Sequence, residues 1–177
     1  MRKWLGALTL GLLVILAGCT EAQLYTPTGV LTKVVNTLPM GWESVYAPRN
    51  STKVFDSFRP WLVNMREVEI KKSANNQSKT LRMSIMVFET NLVAERFIAK
   101  IIAENAGYDS GITGLPTHYS CFGVRQDETV GETELQELSL CRTGEIVVSM
   151  EAIGDLDETL STQMMGKIIL LIDNGLK

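Results

Sequence analysis

Apolar and polar residues alternate along residues 66–72, with Val68 and Ile70 on one side and Glu67, Glu69 and Lys71 on the other. A period of two predicts a half-exposed strand. Residues 81–88 are apolar nearly throughout, which predicts a central strand covered on both faces. Then the period changes. Val93, Phe97 and Ile101, with Ala94, Ile98 and Ile102, form one helical stripe, while Glu95, Arg96, Lys100 and Glu104 fall on the wet side. Thr90 or Asn91 suits the cap of that helix and Gly107 its end. Residues 118–126, 135–142 and 145–153 read as three more strands, the last two joined by a tight turn at Thr143-Gly144. A final helix follows, with Asp157 as its cap and Leu160, Met164, Ile168, Leu171 and Ile172 as its stripe. Near the start, Val30, Leu31, Val34, Val35 and Leu38 sit at helical spacing, stopped by Pro39 and Gly41, and residues 43–47 read as a strand. Residues 54–65, with Pro60 among them, show no clear period.

The element order is strand, strand, strand, helix, repeated once without residue-level self-similarity. Runs of strands punctuated by single helices predict an α+β fold: a mainly antiparallel sheet with the two main helices packed on one face. The other face would be partly open or covered by residues 54–65. In this order, and in the approach Pro39-Met40-Gly41-Trp42, the chain resembles the PsbP-like sandwich family. Phe88-Glu89-Thr90, Ala94 and Phe97-Ile98 also resemble segments of uncharacterised prokaryotic envelope lipoproteins. Neither resemblance brings a catalytic residue with it.

The first residues read as an address. Arg2 and Lys3 precede an apolar run from Trp4 to Ala17 that ends in Leu16-Ala17-Gly18-Cys19. A basic start, a short apolar core and small residues make a secretory signal. The run is shorter than the roughly 20 residues of a comfortable membrane span. Its close resembles the lipobox of bacterial lipoproteins. That resemblance implies a diacylglyceryl thioether on Cys19, cleavage before it and acylation of the new amine. The expected organisation is a signal over 1–18, a lipid-anchored tether over 19–38 with a short helix, and one α+β domain over 39–177. The expected place is the cell envelope: the outer membrane facing the periplasm where there is one, otherwise the outer face of the cell membrane.

Charge and cysteines sharpen this picture. The whole chain carries −3, and loss of Arg2 and Lys3 with the signal takes it to −5. That balance argues against a nucleic-acid partner. With Cys19 given to lipid, two of the three cysteines remain, Cys121 and Cys141. An even remainder in an exported chain favours a disulfide. Register supports it. Setting Cys121 opposite Cys141 also sets Phe122 opposite Leu140 and Val124 opposite Leu138, so the apolar members of both strands share one face.

Candidate chemistry is sparse. His118-Tyr119-Ser120-Cys121 suggests a Cys–His nucleophile, but three residues apart on a strand the two side chains point to opposite faces. One histidine and no close cysteine pair make no zinc constellation, so no metal and no cofactor are expected. Met40, Met65, Met83, Met86 and Met150 are soft ligands in principle and core fillers by preference. Glu67 with Glu69 reads as an exposed strand face, Asp127 with Glu128 as a turn, Asp155 with Asp157 as a helix start. Gly111-Ile112-Thr113-Gly114 lacks the lysine of a phosphate cradle. Aromatics concentrate in loops and strand ends. Trp42, Tyr46, Phe58 and Trp61, joined by Phe55, Tyr108 and Tyr119, either cover the open face of the sheet, the favoured reading, or form a contact surface. The function expected is a non-enzymatic binding or scaffolding domain, anchored to the membrane by Cys19 and meeting a protein or glycan of the envelope. The alternatives are an accessory subunit of an envelope assembly and an unrecognised hydrolase.

Overall fold

A computed structural model describes residues 26–51, 55–74, 77–104, 107–109, 117–126, 136–153 and 158–175. Cys19, the Gly111–Gly114 segment and the carboxylates Asp127, Glu128, Asp155 and Asp157 lie outside them. The elements in order are α1 (Pro27–Val35), β1 (Glu43–Ser44), β2 (Arg49–Asn50), a 3-10 turn (Arg59–Trp61), β3 (Leu62–Ala74), β4 (Gln77–Phe88), α2 (Asn91–Glu104), β5 (Gly107–Asp109), β6 (Ser120–Gln126), β7 (Gln136–Thr143), β8 (Ile146–Ile153) and α3 (Glu158–Gly175). The fold is α+β. Among the described residues eight strands form one sheet in the order β1-β3-β4-β8-β7-β6-β5, with β2 also on β3, and every pairing there is antiparallel.

The long strands β4 and β8 pair at the centre, Met83 opposite Met150 and Ile85 opposite Val148. Their alternation divides the core in two. Val68, Ile70, Leu81, Met83, Ile85, Val148 and Met150 pack against α1 and α3. Met65, Met86, Phe88, Leu140 and Val147, the alternate positions, pack against α2. The two main helices therefore lie on opposite faces, where the sequence reading put both on one. The reason is that β4 is apolar on both sides, so each face needs a cover. A helical stripe states that it must be buried but not on which side of the sheet.

α1 is the second difference. Val30, Leu31 and Val34 are all but inaccessible and belong to the same cluster as α3. Thr26 caps this helix, its Oγ1 accepting from Gly29 N at 3.1 Å, and Pro27 opens it with a preset φ. Within the described residues the folded body thus begins at Thr26, before residue 39, and the short helix expected in 19–38 is part of the domain. The apolar stripe of that expected helix is core.

The remaining elements follow local rules. Thr90 caps α2: its Oγ1 accepts from Val93 N at 3.3 Å. Gly144 turns β7 into β8 at φ 53°, a conformation costly for other residues. α3 buries Met164, Met165, Ile168, Ile169 and Ile172, a wider stripe than expected because it packs on both the sheet and α1. The expected strand over 43–47 shrinks to Glu43–Ser44. In the stretch without a period, Phe58 lies edge-on to Phe97 with centroids 5.5 Å apart and helps cover the α2 face. Trp61 does not; it is 49% exposed.

Cys121 and Cys141 are disulfide-bonded, with Cα atoms 4.1 Å apart. The β6–β7 register is the expected one, with Phe122 opposite Leu140 and Val124 opposite Leu138. Gly107 does not simply end α2: it starts β5, opposite Val124.

Candidate binding face

α2 covers only part of its face of the sheet. Further along, the same alternation that places Met65 and Met86 under the helix places polar side chains in two cross-strand rows. Glu67, Ser84 and Ser149 stand in one; Glu69, Arg82 and Glu151 in the next. An exposed strand face is the sequence expectation for Glu67 and Glu69. Instead Glu67 is 3% exposed and Glu69 is part of an ion-pair row.

Residues 44–50 fold over the Glu67 row. The two short strands β1 and β2 hold them on the edge of β3, with Arg49 opposite Glu67 and Ser44 opposite Ile70. Arg49 donates to Glu67 Oε1 from Nε at 3.1 Å and from Nη2 at 3.0 Å, and its guanidinium lies 3.7 Å over the Tyr46 ring. Tyr46 OH donates to the same oxygen at 3.3 Å. Burial by itself would raise the Glu67 carboxyl, but hydrogen bonds from Ser51, Arg49 and Tyr46, with the Arg49 charge, outweigh it and hold the group below the usual carboxylate range. Tyr46 moves up, through burial first and the Glu67 charge second.

Arg82 ties the second row. Its Nη2 donates to Glu69 Oε2 at 3.0 Å and its Nη1 to Glu151 Oε2 at 2.6 Å. The guanidinium is pushed further up despite burial, because two carboxylates surround it. Its buried Nε finds no partner among the described residues. The result is a face of alternating fixed charges, with Arg49 partly open to solvent at one end. Charges held this way recognise a complementary pattern of charges and hydrogen-bonding groups.

Of the four expected contact residues, only Tyr46 belongs here. Trp42 packs against the cluster under α1 and α3, Phe58 against Phe97, and Trp61 stands at the end of the sheet. Arg49, Arg82 and Glu151 went unnoticed in the sequence. The available signal was Arg82, a lone cation inside an apolar strand beside a strand whose polar side is acidic.

The other candidates resolve into structural parts. The disulfide occupies Cys121, while His118 is half exposed with Nε2 3.0 Å from Asp173 Oδ1. Tyr119 OH donates to the Ile169 carbonyl at 3.4 Å, and burial, then the Asp173 charge, push its hydroxyl up to about 12. Met65, Met83, Met86 and Met150 are core, and Met40 is exposed. Among the described residues no three His, Cys, Asp or Glu side chains cluster as metal ligands.

No protein-family model matches the chain, and the search of curated proteins finds no match. Among solved structures the chain is similar in fold to the extracellular domain of PknH from Mycobacterium tuberculosis. The TM-score is 0.52 at 12% identity, over 86% of this chain and 94% of that one. At that identity the likeness is one of fold.

Proposed function

We propose that the chain is a lipid-anchored protein of the cell envelope whose domain binds or scaffolds a partner rather than transforming a substrate. The Cys121–Cys141 bridge is the observation that carries this reading. Disulfides persist in oxidising compartments, and the third cysteine, Cys19, closes a leader of secretory plan. The extracellular location of the PknH domain is in keeping with it. The binding surface in this reading is the face of Tyr46, Arg49, Glu69, Arg82 and Glu151, with the buried Glu67 holding Arg49 from beneath. Its partner is an envelope protein or glycan that offers both charges and hydrogen-bonding groups; net charge gives no attraction for nucleic acid.

Because α1 belongs to the domain, the anchor is close. Only seven chain steps separate Cys19 from the Thr26 cap, which span at most about 25 Å. A domain tied this short works at the membrane surface and not far from it.

The test is the intact mass of the protein extracted from the membrane fraction. Cleavage before Cys19 with acyl chains attached is expected, and Cys19→Ser should accumulate as an unprocessed precursor. A mature protein cleaved elsewhere and free of lipid would sink the anchoring half of the proposal.

A further inference from the structure

We infer that the end of the sheet bearing Trp61, Val63 and Leu92 seats on the lipid bilayer, with the Trp61 indole in the headgroup layer. This rests on the lipid-anchor reading of Cys19 and adds to it an orientation.

The warrant is the direction in which the chain enters the domain. α1 starts beside Arg66, whose Nε donates to Thr28 Oγ1 at 3.0 Å. It exits at the other part of β3, where Gly41 approaches the Lys72 side chain and Glu43 pairs with Lys71. β3 itself runs from Leu62 to Ala74. α1 therefore runs alongside β3 in the same sense, and its first residue points back toward the Leu62 end. The lipid, on this reading, is attached on that side.

Among the described residues three exposed large apolar side chains, Trp61, Val63 and Leu92, lie on the same side, while Met40 and Val45 lie toward the other. Leu62 pairs with Phe88, and Glu89 N donates to the Trp61 carbonyl at 2.9 Å. The first turn of α2 follows at once, and Arg142 bridges from its Asn91 Oδ1 to the Gly144 carbonyl. Around this end Trp61 is 49% exposed, Val63 64% and Leu92 55%. Val63 is the extra residue of a bulge between the Leu62–Phe88 and Asn64–Val87 pairs. A bulge re-aims a side chain, here an apolar one into solvent. Leu92 projects from α2 opposite the buried Ala94, Phe97 and Ile98.

Reach and chemistry both suit a bilayer. From Arg66 back to Leu62 is about 13 Å of strand, well within what the tether spans. Trp is the side chain best matched to the boundary between apolar chains and wet headgroups. The charges at this end are mixed: Arg59 and Arg142 stand with Asp56, Glu89 and Glu145. The contact is therefore apolar in character and weakly dependent on salt.

The experiment uses the mature, acylated protein in vesicles of phosphatidylcholine and phosphatidylglycerol containing a lipid brominated near the headgroup. Loss of the leader removes Trp4, leaving Trp42 and Trp61. Trp42→Phe then isolates Trp61, and Trp61→Phe isolates Trp42, which lies by the exit of α1 and serves as the control. Trp61 should lose several times as much emission to the bromolipid as Trp42, at low and high salt alike. Val63→Asp with Leu92→Asp, both at exposed positions, should restore most of the Trp61 emission. Weak and equal quenching of both tryptophans, with acyl chains confirmed by mass, overturns the seating and leaves the anchor standing. Trp61 shielded from an aqueous quencher but not quenched by lipid means that protein covers it, and likewise overturns the seating. A chain without acyl groups overturns both.

Discussion

Glu67 lies beneath the Arg49 guanidinium, 3.0 and 3.1 Å from two of its nitrogens, while Arg49 stays partly in solvent. The pair is lopsided. The carboxylate has given up water; the cation has not. Glu67 thus depends on Arg49, Tyr46 and Ser51 to remain ionised.

That dependence has a sign in pH. The folded Glu67 carboxyl sits below its ordinary value, so its contribution to stability is complete above the unfolded carboxylate range, roughly 4.3. It is lost as pH falls through the lower folded value. Glu67→Gln removes the titration. Urea midpoints measured from about pH 6 down to about pH 3 should therefore fall less steeply in Glu67→Gln than in wild type. Parallel slopes would mean that the carboxylate is not held as described.

Cys121 and Cys141 close a loop of sequence separation 20. By the chain-entropy model, cross-linking a loop of that order contributes about 3 kcal/mol. Unfolding the oxidised protein without reductant should expose no reactive thiol from this pair, and reduction should lower the denaturation midpoint accordingly. Two titratable thiols in the oxidised sample would remove the bridge.

Burial, not side-chain size, decides which truncations hurt. Leu31→Ala, in the cluster under α1 and α3, should destabilise by about 2–5 kcal/mol, and Phe97→Ala, in the cluster under α2, by about 3–5 kcal/mol. Trp61→Ala should cost about 1 kcal/mol or less, as a half-exposed side chain does. Denaturant titration of the three variants separates the cases. A large loss for Trp61→Ala would return it to the covering role that its sequence context suggested.

The chain by itself determined the class of fold and much of its detail. A nearly unbroken apolar run marked β4, while a period of two marked β3 and a period of 3.6 marked α2 and α3, because a residue's side is set by local backbone geometry. The β6–β7 register was legible for the same reason: the Cys121–Cys141 pairing and the Phe122–Leu140 pairing demand one alignment. What only the tertiary structure decided was assignment across distance. α2 and α3 each carry an apolar stripe, but the choice of opposite faces depends on β4 being apolar on both sides and on α1 filling the space beside α3. The core role of Val30, Leu31 and Val34 was hidden behind a polar stretch that reads as a tether. The polar face was hidden in the same way. Arg82 meets Glu69 and Glu151 only because β4 lies between β3 and β8, and Arg49 reaches Glu67 only because β2 closes on β3. Such encounters join separate strands, with Arg82 and Glu151 69 residues apart, and no local period connects them.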